Sequence, residues 1–152
     1  MANLQKGKAL RELTLGFKVS TTAATLAGAA TPMFTITGGR VLMTAFWGKV
    51  TVASGANAVH IEANPTTGTD QPIAANLDID PAIVGDTLTI NGKADAAMTY
   101  NASTVGLQTM SEGPVILQTG TLDYHAAAAD GAVLWSMTYI PLDDGAYVSA
   151  AY

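Results

Sequence analysis

The sequence predicts an all-β protein, a jelly-roll-like antiparallel β-sandwich with an extended N-terminal arm. Short alternating or apolar segments recur at roughly ten-residue spacing, with turn residues between them and no convincing long helix. The strands are of uneven length, and a polar loop at residues 64–71 lies in the middle of the chain. These two features favour a jelly-roll-like sandwich over an up-and-down barrel.

The N-terminal residues have the weakest strand patterns. Residues 4–13 predict either a short helical turn or a mobile arm, because Gly7 weakens a helix. Residues 14–20 alternate well enough for a first strand or an extended arm. Residues 21–31 predict a loop, which could also fold back as an extended segment.

The remaining segments, apart from the ambiguous residues 93–112, have clear strand patterns and turn signals. Gly48 interrupts the strongest pattern and predicts a bulge or a sharp bend, and Gly120 predicts a second bulge. A loop and one short strand are expected within 93–112, after a tight turn at Asn91-Gly92. The other predicted strands are residues 32–37, 41–52, 58–63, 73–79, 87–90, 115–122, 133–140 and 146–151.

Composition limits the class of protein. A length of 152 residues favours one domain with its own core, and the absence of cysteine excludes disulfides and thiolate zinc sites. Charged residues make up 12%, about half the usual share, so the surface must be largely neutral. Such a surface is typical of proteins that are packed into assemblies. The net charge of −5 argues against nucleic acid as a partner.

The charges are distributed unevenly along the chain. Residues 1–18 contain Lys6, Lys8, Arg11 and Lys18 against one acid, Glu12, whereas the remainder has eleven acids and three cations. This contrast predicts a basic arm, residues 1–20, that binds an acidic partner surface, and a sandwich domain, residues 21–152. The four cations are the predicted contact residues of the arm.

No segment predicts a membrane association or an export signal. The longest weakly polar stretch, residues 21–36, is interrupted by Gly28 and Pro32, so no transmembrane helix is predicted. Lys18 ends the short apolar run that follows the N-terminal cations, a pattern that does not fit a signal peptide. We therefore expect no export by the general secretory route.

No catalytic motif is present, and the sequence predicts neither an enzyme nor a cofactor. His60 and Glu62 share one face of a predicted strand, but a metal needs a third ligand and His125 is the only other histidine. We interpret these residues as a polar strand face without a metal. Asp78 and Asp80 are interpreted as acceptors of backbone hydrogen bonds at a strand end.

The two tryptophans lie in the two strongest strand patterns. Trp135 shares a face with Met137 and Tyr139, which predicts packing in the core or between subunits. Trp47 shares its face with one apolar residue, Ala45, and one charged residue, Lys49. It is assigned to the same packing role as Trp135, although its face is less apolar. A carbohydrate-binding module would instead display such rings to solvent.

From about residue 38 onward the chain resembles small proteins encoded beside the major capsid gene of tailed bacteriophages. Three segments provide the resemblance: GRVLMTAFWGKVT, then ANAVHIEANPTTGTDQPIAANLDI with VGDTLTING, and the closing GAVLWSMTYIPLDDGAYVSAAY. Their order is similar to that of capsid decoration, or cement, proteins. The N-terminal 37 residues lie outside this resemblance, and no functional residue of that family maps onto the chain.

The resemblance implies a jelly-roll-type sandwich on the exterior of a virion capsid, made in the cytoplasm of the host bacterium. The expected partners are the major capsid protein and other copies of the chain, with a homotrimer favoured over a homodimer. The expected function is mechanical: many weakly bound copies bridge capsomers and stabilise the shell. A head-fibre base, a head-completion or tail protein, and a carbohydrate-binding or adhesion domain remain open alternatives.

Overall fold

The computed structural model describes residues 7–80, 82–102 and 108–152, and it confirms an all-β sandwich of two antiparallel sheets. One helix, α1, spans Gly7–Leu15. The strands are β1 (Phe17–Ser20), β2 (Ala24–Thr25), β3 (Ala30–Thr37), β4 (Val41–Val52), β5 (Ala58–Pro65), β6 (Gln71–Asp78), β7 (Thr87–Thr89), β8 (Thr99–Asn101), β9 (Val115–Leu117), β10 (Gly120–Ala126), β11 (Ala132–Pro141) and β12 (Tyr147–Ala150). Within these described residues no helix is long and apolar enough to cross a membrane.

The two strands with the strongest sequence patterns, β4 and β11, pair with each other at the centre of the first sheet. That sheet has the order β1-β11-β4-β7-β8, and β2 and β9 add to β11 and β4. The second sheet has the order β12-β3-β10-β5-β6. Most neighbours are distant in sequence, so the burial of apolar faces between the sheets, rather than local turns alone, selects the pairing.

An aromatic cluster fills the space between the sheets. Trp135 is 0% exposed, and its ring stacks on Phe46 at a centroid distance of 5.4 Å and on Tyr124 at 6.3 Å. Phe34 meets Phe46 edge to face at 6.5 Å. The rings come from both sheets, so they join the two layers, and each buried aromatic side chain contributes about 1.5–3 kcal/mol of transfer free energy.

The bulge expected at Gly48 lies elsewhere, and the glycine has a packing role instead. The β4–β11 register shifts between Thr138 and Tyr139 and again between Ala132 and Val133, away from Gly48. Gly48 lies directly opposite Trp135, and the indole fills the space that a side chain at residue 48 would need. The close approach therefore explains the glycine.

The predicted strand at 115–122 is divided between the two sheets. β9 pairs with β4 in the first sheet, whereas β10 begins at Gly120 and pairs with β3 and β5 in the second. Gly120 has a φ of +149°, and a Cβ there would collide with the carbonyl oxygen of Asn64. The glycine thus allows the chain to change sheets at close backbone contact.

The N-terminal region contains a helix followed by a strand. Of the two alternatives for residues 4–13, the structure shows a helix over the described residues 7–13. The helix continues to Leu15, so the strand expected from residue 14 begins only at Phe17. Residues Phe17–Ser20 form an edge strand paired with β11, so the end of the predicted arm is joined to the first sheet. The short strands β2 and β8 lie in segments where the sequence pattern was weak.

Candidate docking groove

A groove lies between helix α1 and the outer face of the first sheet. We call it the N-terminal groove. It encloses a cavity of about 470 Å³. Its lining residues are Lys8, Arg11, Glu12, Leu15, Gly16, Phe17, Lys18, Trp47 and Thr138.

The end of helix α1 is anchored to the sheet by backbone contacts. The Gly16 amide donates to the Glu12 carbonyl at 3.1 Å, and Gly16 has a φ of +84°, the left-handed conformation that commonly ends a helix. The Thr44 hydroxyl donates to the Leu15 carbonyl at 2.8 Å, which satisfies one of the free carbonyls at the helix end. A Cβ at Gly16 would collide with the Tyr139 carbonyl oxygen, so the glycine permits this close approach.

Strand pairing places Lys18 beside Trp47. Lys18 is opposite Thr138, and Ser136, on the same face of β11, is opposite Trp47. The Lys18 Nζ atom lies 5.3 Å from the centroid of the Trp47 ring, within the range of a cation–π contact. The Ser20 and Ser136 hydroxyls bond to each other at 2.8 Å on the same face. The contact holds one cation of the arm over a half-buried indole.

The groove has more positive than negative side chains. Lys8 lies 3.5 Å from Glu12 across one helical turn, a solvent-exposed pair that stabilises the helix by only a few tenths of a kcal/mol. Arg11 forms no ion pair among the described residues. Lys18 contacts the indole rather than an acid. Cationic hydrogen-bond donors therefore remain available to an anionic partner.

Arg40, by contrast, is engaged in an ion pair outside the groove. Its guanidinium donates to both carboxylate oxygens of Asp143 at 2.8 and 2.9 Å. The hydrogen bonds from the Arg40 side chain and backbone lower the pKa of Asp143 to about 2. This pair closes the turn between β11 and β12 onto the β3–β4 turn, so Arg40 has a structural role.

Helix α1 exposes its apolar side chains. Leu10, Leu13 and Leu15 are 53%, 73% and 54% exposed, and no side chain of the helix is buried. Phe17, just after the helix, is 47% exposed although its ring approaches Tyr139 at 5.8 Å. A helix normally packs its apolar stripe against a core. The exposed leucines therefore form an apolar surface next to the groove, of the kind found at interaction sites.

The apolar surface continues across the first sheet. Ile140 on β11 is paired with Leu42 on β4, which is paired in turn with Ile116 on β9. Ile116 is 55% and Ile140 37% exposed. A Cβ at Gly16 would lie 3.0 Å from the Ile140 side chain, which places this row beside the end of the helix.

The structure thus brings together three of the four cations named by the sequence and one of the two tryptophans. Lys8, Arg11 and Lys18 line the groove with Trp47, whereas Lys6 lies outside the described residues. Trp135 and Tyr139 lie in the core, at 0% and 7% exposure. Sequence reasoning missed the apolar part of the surface, although the spacing of Leu10, Leu13 and Phe17 was a signal for it.

The other residues considered from the sequence lie on the second sheet or at its edge. Asp78 accepts hydrogen bonds from the amides of Asn57 and Asp80 at 3.0 and 3.1 Å, which confirms its interpretation as a backbone acceptor. His60, Glu62 and His125 come together on one face of the sheet. The sequence named all three residues but could not place His125 beside the other two, because it lies 63 residues beyond Glu62 and only strand pairing joins them.

Comparison with known proteins yields no relative from which a function could be transferred: no family model, curated protein or solved structure matches the chain.

Proposed function

We propose that this chain is a structural virion protein that binds the outer surface of a tailed-phage capsid and stabilises the shell by bridging capsomers. The observation that supports docking is the convergence of Lys8, Arg11 and Lys18 on the N-terminal groove, next to exposed leucines. The capsid is proposed as the partner because of the sequence resemblance described above and the largely neutral surface. The partner surface should present acidic side chains next to apolar ones.

Each contact of this kind is weak by itself. An exposed ion pair contributes about 0.2–1 kcal/mol, so three cations provide only a few kcal/mol before the entropy cost of docking. Many copies on one shell, or an oligomer with several grooves, would convert weak contacts into firm attachment. We therefore include self-association in the proposal, as a homotrimer in preference to a homodimer.

The arm should be tested by charge reversal rather than by deletion. Removal of residues 1–18 would also remove Phe17 and Lys18 from β1, which would expose the edge of β11. The double variant K8E/K18E keeps the backbone and changes the net charge by four units. The double variant K49E/K93E makes the same change outside the groove lining, so it is a matched control.

The assay is co-sedimentation of the purified chain with shells assembled from the major capsid protein encoded in the same genome. We expect saturable binding of the native chain, with K8E/K18E weakened roughly 5- to 30-fold, corresponding to about 1–2 kcal/mol from two lost contacts. K49E/K93E should bind within about twofold of the native chain. Because the contacts are exposed, binding should also weaken as salt is raised.

The possible outcomes test the groove as the docking surface separately from the decoration function. Equal binding by both double variants would refute the groove as the docking surface while leaving a capsid protein in place. If the native chain failed to bind the shells at all, the decoration function itself would be refuted. Copy number per purified particle would then distinguish a head-fibre base or tail component from a decoration protein.

One observation favours a second candidate, a carbohydrate-binding domain. Trp47 is half-buried at the side of a groove of about 470 Å³, where an indole could stack on a sugar. Lys18 lies over that ring, however, and a sugar would have to displace it. A glycan array tests this alternative: binding that is lost in W47A and retained in K18A would favour it over capsid docking.

A further inference from the structure

A second cluster of polar side chains lies on the outer face of the second sheet. Strands β5 and β10 pair antiparallel, with His60 opposite His125 and Glu62 opposite Asp123. Alternate residues of a strand share a face, so all four side chains lie on the same side of the sheet. The two intervening residues, Ile61 and Tyr124, are buried in the core, which identifies this side as the outer one.

The distances within the cluster are close to those between ligands of one metal ion. The Glu62 Oε2 atom lies 3.4 Å from His125 Nε2 and 3.6 Å from His60 Nε2. Zinc–ligand bonds of about 2.0–2.1 Å at tetrahedral angles place neighbouring ligand atoms about 3.3 Å apart. One ligand atom from each of the three residues lies within 4.8 Å of the others.

The hydrogen bonding of His60 also fits a metal ligand. Its Nδ1 atom donates to the Asn76 side-chain oxygen at 3.0 Å, and in the neutral ring this leaves the Nε2 lone pair free on the side of Glu62. Metal-binding histidines usually donate their second nitrogen in this way, which fixes the tautomer and the ring orientation. Asn76 lies on β6, so a third strand contributes to the arrangement.

Asp123 provides an independent observation that favours a cation here. The residue is 5% exposed, and its Oδ1 atom is buried without a hydrogen-bond partner among the described residues. It lies opposite a second carboxylate, Glu62, in the strand register. Two adjacent carboxylates, one buried, are costly unless positive charge is nearby. A divalent cation between Glu62 and the histidines would supply that charge.

The side of the cluster that faces solvent is open. Small side chains, Ala58, Ala126 and Ala127, surround a shallow cavity of about 240 Å³ beside the two histidines. The histidine rings stack at a centroid distance of 4.4 Å and an angle of 17°. The His125 ring would rotate to direct its Nε2 atom at an ion held by His60, and the cavity leaves room for that rotation and for a water ligand.

We propose that His60, Glu62 and His125 bind a zinc ion, with water or a donor from another molecule as the fourth ligand. Two imidazoles and one carboxylate suit Zn²⁺ better than Mg²⁺ or Ca²⁺, which prefer oxygen ligands. The site departs from the expectation of a polar strand face without a metal. It does not depend on the proposed docking function, because it lies on the other sheet.

The test is a calorimetric titration of the purified full-length chain with zinc chloride near neutral pH. We expect one zinc ion per chain, with loss of saturable binding in H125A and in the more conservative E62Q. N76A keeps all three ligands and should weaken zinc binding about tenfold, the lower end of the range for such supporting residues. D144N removes an exposed acid from the turn between β11 and β12, at the opposite end of β3 from the residue paired with His125, and should bind zinc like the native chain.

Spectroscopy assigns the binding to these residues. The chain has two histidines, so ¹⁵N-labelled imidazole signals report on the site alone, and both Nε2 resonances should shift on zinc addition. Cobalt(II) should give the visible absorption of a tetrahedral site in the native chain but not in H125A. Circular dichroism verifies that each variant is folded. The proposal is overturned if the native chain shows no saturable binding, or if folded E62Q and a folded histidine variant both bind zinc with native affinity.

Discussion

Replacement of Gly48 by alanine should destabilise the protein by overpacking its aromatic core. The Cβ of an alanine at residue 48 would lie 2.5 and 2.6 Å from two ring atoms of Trp135 and 2.7 Å from the Val133 Cγ1. Carbon atoms attract at about 3.5–4.0 Å, so all three contacts would be strongly repulsive. The backbone of Gly48 is not in a left-handed conformation, so the effect would come from packing.

The cost depends on whether Trp135 can move. Its ring is 0% exposed and stacks on Phe46 and Tyr124, so displacement of the indole would disturb both neighbours. Overpacking a core by one methyl group typically costs 1–3 kcal/mol, and these contacts place the cost of G48A at about 3 kcal/mol. For a protein of this length, that corresponds to a Tm lower by about 6–12 °C.

Urea and thermal unfolding of G48A and of the control G28A would measure the effect. A Cβ at Gly28 would make only ordinary contacts of 3.5–3.6 Å, and G28A should stay within about 0.5 kcal/mol of the native chain. The double variant G48A/W135F removes the larger indole and should lose less stability than the sum of its single changes. A G48A protein as stable as the native chain, or strictly additive changes in the double variant, would refute the packing explanation.

Three further predictions concern polar groups outside the groove. Asn57 is 1% exposed and makes three hydrogen bonds to the backbone of the 128–130 loop, so N57A should cost about 2–3 kcal/mol in urea denaturation; an unchanged midpoint would contradict this. Arg40 lowers the pKa of Asp143 to about 2, so the stabilising effect of this ion pair is present above pH 4 and is lost as the pH falls toward 2. D143N should therefore show a smaller drop in Tm over that range than the native chain. An equal drop in both proteins would argue against a stabilising ion pair. Burial raises the pKa of Tyr152 to about 12, so the stability that its neutral form contributes is complete below about pH 10 and is lost as the pH rises through 12. When Tm is measured against pH, Y152F should lose less stability than the native chain over this range. Parallel curves for the two proteins would contradict the assignment.

Most of the strands could be predicted from the sequence because their signals are local. The pattern at 41–52 became β4 with the same bounds, and that at 133–140 became β11 with one residue added at each end. The short strands β2 and β8 were less clear, since two or three residues contain too little alternation to stand out. Gly48 was recognised as special for the wrong reason, because only a partner strand reveals that an indole fills the space beside it.

The candidate sites could be predicted only in part. The sequence identified Lys8, Arg11 and Lys18 from charge alone, since a cluster of cations in an acidic chain needs no structure to be seen. It could not place Trp47 beside Lys18, because that contact crosses β11 and depends on the registers of two separate strand pairs.

The sequence by itself determined the class of fold, most of the strands and the basic N-terminus, because alternation, turn residues and charge are properties of neighbouring residues. The tertiary structure decided which distant strands meet, and therefore which side chains share a surface. His60 and His125 illustrate the difference: they are 65 residues apart in the chain and stack at 4.4 Å in the sheet. Their pairing follows from burial of Ile61 and Tyr124 on the opposite face, because a register slip of one residue would expose that core face.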